Sequence, residues 1–151
     1  MDEFKKILFP VDLSESSAKI VPYVLMTAKH FEAEIHLLFV ARVLEYFRGI
    51  YVPQPSITKF QSEIVGGAKT RLAEFKDEYF LGVSNVETSV LTGDIADEIL
   101  KYISREKIDL VIMGTHGRKG LEKVVFGSVA ERVVQLAPVP IMMVNPHRIK
   151  S

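Results

Sequence analysis

Five apolar runs punctuate the chain, with helical patterns between them. Residues 5–11 form the first run and stop at Asp12. Residues 34–43 hold Ile35, Leu37, Leu38, Phe39 and Val40. Residues 85–91 alternate, placing Val86, Thr88 and Val90 on one face. Residues 109–113 run apolar into Gly114, and residues 139–144 make the fifth run. Continuous apolar runs of this length suit parallel strands covered on both faces.

The intervening segments carry helical spacing. Residues 15–31 set Ala18, Val21, Leu25 and Ala28 on one stripe. Pro22 falls inside that pattern, where a proline costs about 3 kcal/mol, so a kink or a late helix start is expected. Residues 60–79 set Ile64, Ala68, Leu72, Phe75 and Tyr79 on one stripe, and the pair Gly66-Gly67 predicts fraying of its first turns at roughly 1 kcal/mol per glycine. Residues 95–106 and 128–137 complete the set. The order β-α-β-loop-α-β-α-β-α-β predicts right-handed crossovers and an α/β, doubly wound parallel sheet of five strands with about four helices, in a single domain over residues 1–151. Residues 44–59 read as a loop, rich in Leu44, Tyr46, Phe47, Ile50, Tyr51 and Val52. It is either a mobile surface loop or a lid or partner contact, since exposed aromatics cost solubility unless covered.

Composition narrows the function. The chain has 151 residues, 48% hydrophobic and 25% charged, which is globular. Its 19 Lys+Arg balance 19 Asp+Glu, so a generally basic nucleic-acid binder is not expected. With no cysteine there is no disulfide, thiolate nucleophile or cysteine-based metal site. The opening residues lack a signal-peptide pattern, and no run approaches the roughly 18 apolar residues of a membrane span. The expectation is a cytoplasmic protein with no membrane partner.

Chemistry is expected at the carboxyl ends of the strands, where open α/β sheets bind ligands. The fourth run leads into Met113-Gly114-Thr115-His116-Gly117, and further on Gly127-Ser128-Val129 opens a helix. Gly114, Gly117 and Gly127 follow the spacing G-x2-G-x9-G before a serine. A glycine at a strand end lets backbone approach a ligand, a second permits a turn whose N–H groups form an anion nest, and a helix N-terminus favours phosphate. The P-loop and G-x-G-x-x-G motifs are both absent. Plainer readings stand beside this one. Ser128-x-x-Glu131 fits a capping box, and the glycines could serve only as turns. Asp12 could cap the following helix, as could Ser14, or accept hydrogen bonds from a ribose.

These segments resemble the universal stress protein family over essentially the whole chain. The resemblance rests on Lys6-Ile7-Leu8-Phe9-Pro10-Val11-Asp12-Leu13-Ser14, Leu38-Phe39-Val40, the 110–117 segment, Gly127-Ser128-Val129-Ala130-Glu131 and Pro138-Val139-Pro140-Ile141. It implies a sheet of order 3-2-1-4-5 and membership of the subgroup that binds ATP (or AMP or ADP). By resemblance, Asp12 would contact the ribose or adenine side, and Pro10, Val11 and Val40 would line the adenine pocket. Met113, Gly114 and Gly117 would wrap the ribose and phosphates, and Gly127, Ser128 and Val129 would hold the phosphates. Asp12 could reach a Mg2+ ion through phosphate oxygens.

The resemblance also implies a homodimer through the last strand, which an apolar edge at residues 139–144 would favour. Arg118, Lys119 and Lys123 could meet phosphates or form a solvated face. His116 reads as a loop histidine, and His30, His36 and His147 lack the spacing of a metal cluster. No catalytic residue stands out. A nucleotide-binding stress-response regulator is therefore expected, with a slow ATPase and a nucleotide-free interaction protein of the same fold as alternatives.

Overall fold

The computed structural model describes residues 3–42, 49–115 and 127–148. Strands β1 (Lys6–Pro10), β2 (Glu34–Ala41), β3 (Val86–Thr92), β4 (Leu110–Gly114) and β5 (Ile141–Val144) alternate with helices α1 (Glu15–Phe31), α2 (Gln54–Tyr79), α3 (Ile95–Arg105) and α4 (Ser128–Leu136). The strands form one sheet of order β3-β2-β1-β4-β5. Every neighbouring pair is parallel. The strand order reverses at β1, between β2 and β4, and the carboxyl ends there open a crevice.

Two apolar layers sandwich the sheet, and the pleat sorts residues between them. Ile7, Phe9, Ile35, Leu37 and Ile112 pack with Val21, Val24, Leu72 and Phe75 of α1 and α2. Leu8, Leu38, Val40, Val111 and Met113 pack with Ile99, Tyr102, Ala130 and Val133 of α3 and α4. Ile7, Leu8, Phe9, Val111 and Ile112 are wholly buried, as strands covered on both faces require. Among the described residues no helix is long and apolar enough to cross a membrane.

Three expectations are corrected. First, α1 starts at Glu15 and continues through Pro22, so there is no late start. Pro22 is exposed. The buried stripe of α1 runs through Ser17, Ile20, Val21, Val24, Thr27 and Ala28, leaving Ala18 and Leu25 at its flank. Second, α2 begins at Gln54, so residues 54–59 are helical and not loop. Pro53 and Pro55 act there as helix starters, because a proline in the first turn sacrifices no intrahelical bond. Third, α2 runs unbroken through Gly66 and Gly67, with Ala68, Leu72 and Phe75 buried beyond them. Of the apolar 44–59 residues, Leu44, Tyr46 and Phe47 lie outside the described residues, whereas Ile50 and Tyr51 are exposed.

Candidate functional site

A cavity of about 540 Å³ opens at the carboxyl ends of β1, β2 and β4. Its first wall is the end of β1. Pro10 and Val11 line it, and the Val11 N–H donates to Leu38 O at 2.9 Å, holding β1 against β2. Asp12 stands exposed at the mouth. The chain then turns through Leu13 at φ 64, a left-handed conformation costing a non-glycine residue roughly 1–2 kcal/mol. That turn brings Ser14 to the N-cap of α1, where its Oγ accepts the Ser16 N–H at 3.2 Å. Of the two capping alternatives, Ser14 is therefore the cap.

Asp12 does something else. Its Oδ1 accepts from the Ser14 N–H at 2.9 Å, the Ser14 hydroxyl at 2.6 Å and the Ser17 hydroxyl at 2.7 Å. Its own N–H donates to Ser17 Oγ at 3.0 Å. Three donors on one oxygen fix the carboxylate in place, and among the described residues no hydrogen bond falls on Oδ2.

The second wall is β2, with Val40 buried and Arg42 at its exposed end. Met113, Gly114 and Thr115 from β4 make the floor. The Thr115 N–H donates to Val144 O at 3.0 Å, and Thr115 O accepts the Gly127 N–H at 2.9 Å. Thr115 and Gly127 are thus held together at the cavity. Gly117, His116, Arg118, Lys119 and Lys123 lie outside the described residues.

The far wall is the N-terminus of α4: Gly127, Ser128, Val129 and Ala130. Here the capping-box reading is corrected. Gly127 is the N-cap, at φ −63 and ψ 159, and it has no side chain to cap with. Ser128 is the first helical residue, and the Glu131 N–H closes onto Gly127 O at 2.9 Å. The first-turn N–H groups lie against the cavity without a side-chain acceptor, and their partial positive charge suits an anion. Gly127 is not a glycine for conformational reasons, because its backbone angles are open to any residue.

The fold therefore gathers Pro10, Val11, Asp12, Val40, Met113, Gly114, Gly127, Ser128 and Val129 around one cavity. It also brings in residues the sequence reasoning missed. Arg42 adds a cation at the rim and carries a signal only as the first charge after β2. Ser16, Ser17, Ile95 and Ile99 complete the walls. Thr115 is buried, and among the described residues its Oγ1 has no hydrogen-bond partner. Polar groups converging in a cavity with apolar walls are the usual makings of a small-molecule site.

Magnitudes refine how such a site would hold a ligand. A helix N-terminus contributes about 0.3–1 kcal/mol to an anion, up to about 2 in favourable geometry. Micromolar affinity needs about 8 kcal/mol. Val11, Val40 and Met113 are already over nine-tenths buried, so they have little surface of their own left to cover. The apolar contribution, at about 25 cal/mol per Å², comes mostly from the ligand's own surface.

The fold gives one of the scattered histidines carboxylate neighbours. Parallel pairing of β2 with β3 sets His36 directly across from Glu87, with Glu34 two residues earlier on the same face.

Comparison with known proteins adds the lineage. Residues 3–145 match the model described as the universal stress protein family. The chain is 32% identical over 146 residues to universal stress protein MJ0531 of Methanocaldococcus jannaschii, covering 94% of this chain and 82% of that protein. Among solved structures, universal stress protein UspA from Lactobacillus plantarum superposes with TM-score 0.78 at 21% identity, covering 95% of this chain and 99% of that one. A universal stress protein crystallised in complex with cAMP superposes with TM-score 0.60 at 19% identity, covering 96% and 99%. At those identities the two structures bear on the fold.

Proposed function

The chain belongs to the universal stress protein family, and we propose that it binds an adenine nucleotide (ATP, or its ADP or AMP form) in the cavity between β1, β2 and β4. One observation carries the reading. A carboxylate fixed by three donors faces, across an apolar-walled space, a helix N-terminus that has no side-chain cap. Asp12 Oδ2 is placed to accept from ribose hydroxyls, and the α4 N–H groups to donate to phosphate oxygens. The heterocycle lies between Val11, Val40 and Met113. The complex with cAMP in a protein of the same fold supports the ligand class. A Mg2+ ion, if it accompanies the nucleotide, is met through phosphate oxygens near Asp12. By the family resemblance Gly114 and Gly117 take part in wrapping the ribose and phosphates.

Calorimetry on the full chain tests this, with ATP, ADP, AMP and cAMP in the presence of Mg2+. The expected result is saturable binding of one nucleotide per chain, weakened about tenfold or more in Asp12→Ala. Absence of heat, or equal affinity in the variant, overturns it.

The same reading makes the whole of residues 1–151 a single cytoplasmic regulatory domain that works as a homodimer. Support for the dimer comes from β5, which is the sheet edge, with Ile141, Met142 and Met143 only partly buried. Val134 and Leu136 on the preceding α4 are also exposed. Such an edge invites a second copy. Val144 is buried, so the informative charge goes at Met142. Met142→Lys is expected to sediment as monomer, and an unchanged dimer mass refutes the interface.

A further inference from the structure

At the opposite, amino-terminal end of the strands lies a cluster that the nucleotide reading does not use. His36 sits on β2, 2% exposed, facing α3. Its Nδ1 is 2.5 Å from the Tyr102 hydroxyl. Its Nε2 is buried with no hydrogen-bond partner. Glu34 Oε1 stands 3.5 Å from that Nε2, outside hydrogen-bond geometry, and Glu87 Oε2 stands 3.8 Å from Nδ1. Taking one ligand atom from each of Glu34, His36 and Glu87, all lie within 4.8 Å of one another.

The orphaned nitrogen calls for an explanation, because a buried polar atom without a partner is costly. The neutral ring has two arrangements. If the Tyr102 hydroxyl donates to Nδ1, the proton on Nε2 has no acceptor in geometry. If Nδ1–H donates to the Tyr102 oxygen, Nε2 presents a bare lone pair beside a carboxylate. The second arrangement is that of a metal-ligating histidine, whose other ring N–H is held by an outer partner. We infer that Glu34, His36 and Glu87 form a site for a divalent transition-metal ion, with His36 Nε2 and two carboxylate oxygens as protein ligands.

One imidazole with two carboxylates is a donor set for Zn2+ and its first-row neighbours more than for Mg2+ or Ca2+, which take oxygen throughout. Zinc–ligand bonds of about 2.0–2.2 Å require the carboxylates to draw in. Glu87 can do so, since its side chain is 59% exposed, and that of Glu34 is 28% exposed. Tyr102 is suited to the outer role, because its hydroxyl lies against Nδ1 and can accept from Nδ1–H. Lys6, the neighbour of Glu34 across β1, has its ammonium on the Glu106 carbonyl at 3.2 Å. The competing arrangement is an imidazolium ion-paired to both glutamates, which would leave no place for a cation.

Zinc titration of the chelator-treated full-length protein separates the two, read by calorimetry and by the nitrogen resonances of the histidine rings. The expected result is one Zn2+ per chain with a shift of the His36 Nε2 resonance. Glu34→Gln and Glu87→Gln carry surface-accessible changes that leave His36 in place. Each should weaken binding by at least the roughly 10–100-fold that loss of an outer partner alone produces, and Tyr102→Phe by about tenfold. No saturable uptake overturns the site. Uptake that leaves the His36 resonance unmoved, or undiminished wild-type affinity in both glutamate variants, overturns it too. The inference is independent of nucleotide binding: His36 lies four residues before Val40, about 13 Å along an extended strand, so ATP heats in these variants test that reading separately.

Discussion

Helices α1 and α4 both begin at the carboxyl edge of the sheet, and both N-termini reach the same cavity, yet they are finished in opposite ways. At α1, Ser14 accepts the Ser16 N–H and is itself bound to Asp12, which Ser17 also engages. The helix end is closed by its own side chains. At α3, Asp94 does the same for the Asp97 N–H at 3.0 Å. At α4 the N-cap is Gly127, with nothing to donate or accept beyond its backbone. A side-chain cap stabilises a fold by about 1 kcal/mol over alanine and by a few tenths over glycine, and Gly127 forgoes that margin. A helix end that forgoes it while lining a cavity is the one available to an outside anion. The contrast locates the phosphate position more sharply than the presence of glycines does.

The largest test converts α4 into a copy of α1. Gly127→Asp supplies a side-chain cap, which the backbone at φ −63 and ψ 159 accepts without strain. Stability should rise by about 0.5–1 kcal/mol, from the cap and from an acid at the helix N-terminus. ATP affinity should fall about 100-fold, because the N–H groups are taken and a negative charge stands where phosphate belongs. Thermal melting and calorimetry on the same sample read both. A variant that is stabilised but binds ATP normally would show that the α4 terminus does not hold the phosphates.

Next come the closed ends, with effects of about 1 kcal/mol. Ser14→Ala removes the α1 cap and one of three donors to Asp12, so it should lower stability by about 1 kcal/mol and ATP affinity by less than about tenfold. Asp94→Ala removes the α3 cap and the exposed pairing with Arg132 at 3.5 Å. It should cost a similar amount, nearly all of it from the cap since exposed pairs contribute little, with affinity unchanged. Chemical denaturation measures the first quantity and calorimetry the second. If Ser14→Ala and Asp94→Ala affect affinity alike, Asp12 is not being oriented by its serines.

How much of this was legible in the sequence follows from how local each cause is. The parallel sheet was readable because Ile7-Leu8-Phe9 and Val111-Ile112 are buried on both faces, and a run of apolar residues records that directly. Pro10, Val11, Met113 and Gly114 were readable because they sit at the ends of such runs, and Gly127 and Ser128 because they open a helix. The start of α2 was not, because Pro53 and Pro55 signal a loop and a helix start with the same letters. The stripe of α1 shifted because Ser16, Ser17 and Thr27 are buried small polar residues, and binary patterning counts them as surface. Thr27 Oγ1 is satisfied inside its own helix, donating to Tyr23 O at 2.7 Å. The α4 cap slipped by one residue because Gly127 and Ser128 are both acceptable caps, and Glu131 fits a box with Ser128. The His36–Glu87 neighbourhood had no local signal at all, since only the register of β2 on β3 creates it.

The smallest expected effect is the most discriminating about why residue 127 is a glycine. Gly127→Ala adds a Cβ that would lie 3.6 Å from the Thr115 carbonyl oxygen, an ordinary van der Waals contact. The backbone angles suit alanine, and alanine adds no side-chain acceptor, although glycine is the better N-cap of the two. Stability should therefore fall by roughly 0.5 kcal/mol, and ATP affinity by less than about threefold, since the N–H groups stay open. If affinity instead collapses as in Gly127→Asp, the residue is a glycine because the ligand needs its space, and the missing cap is incidental. If it holds, absence of a capping group is the property that matters, and α4 differs from α1 in chemistry and not in room.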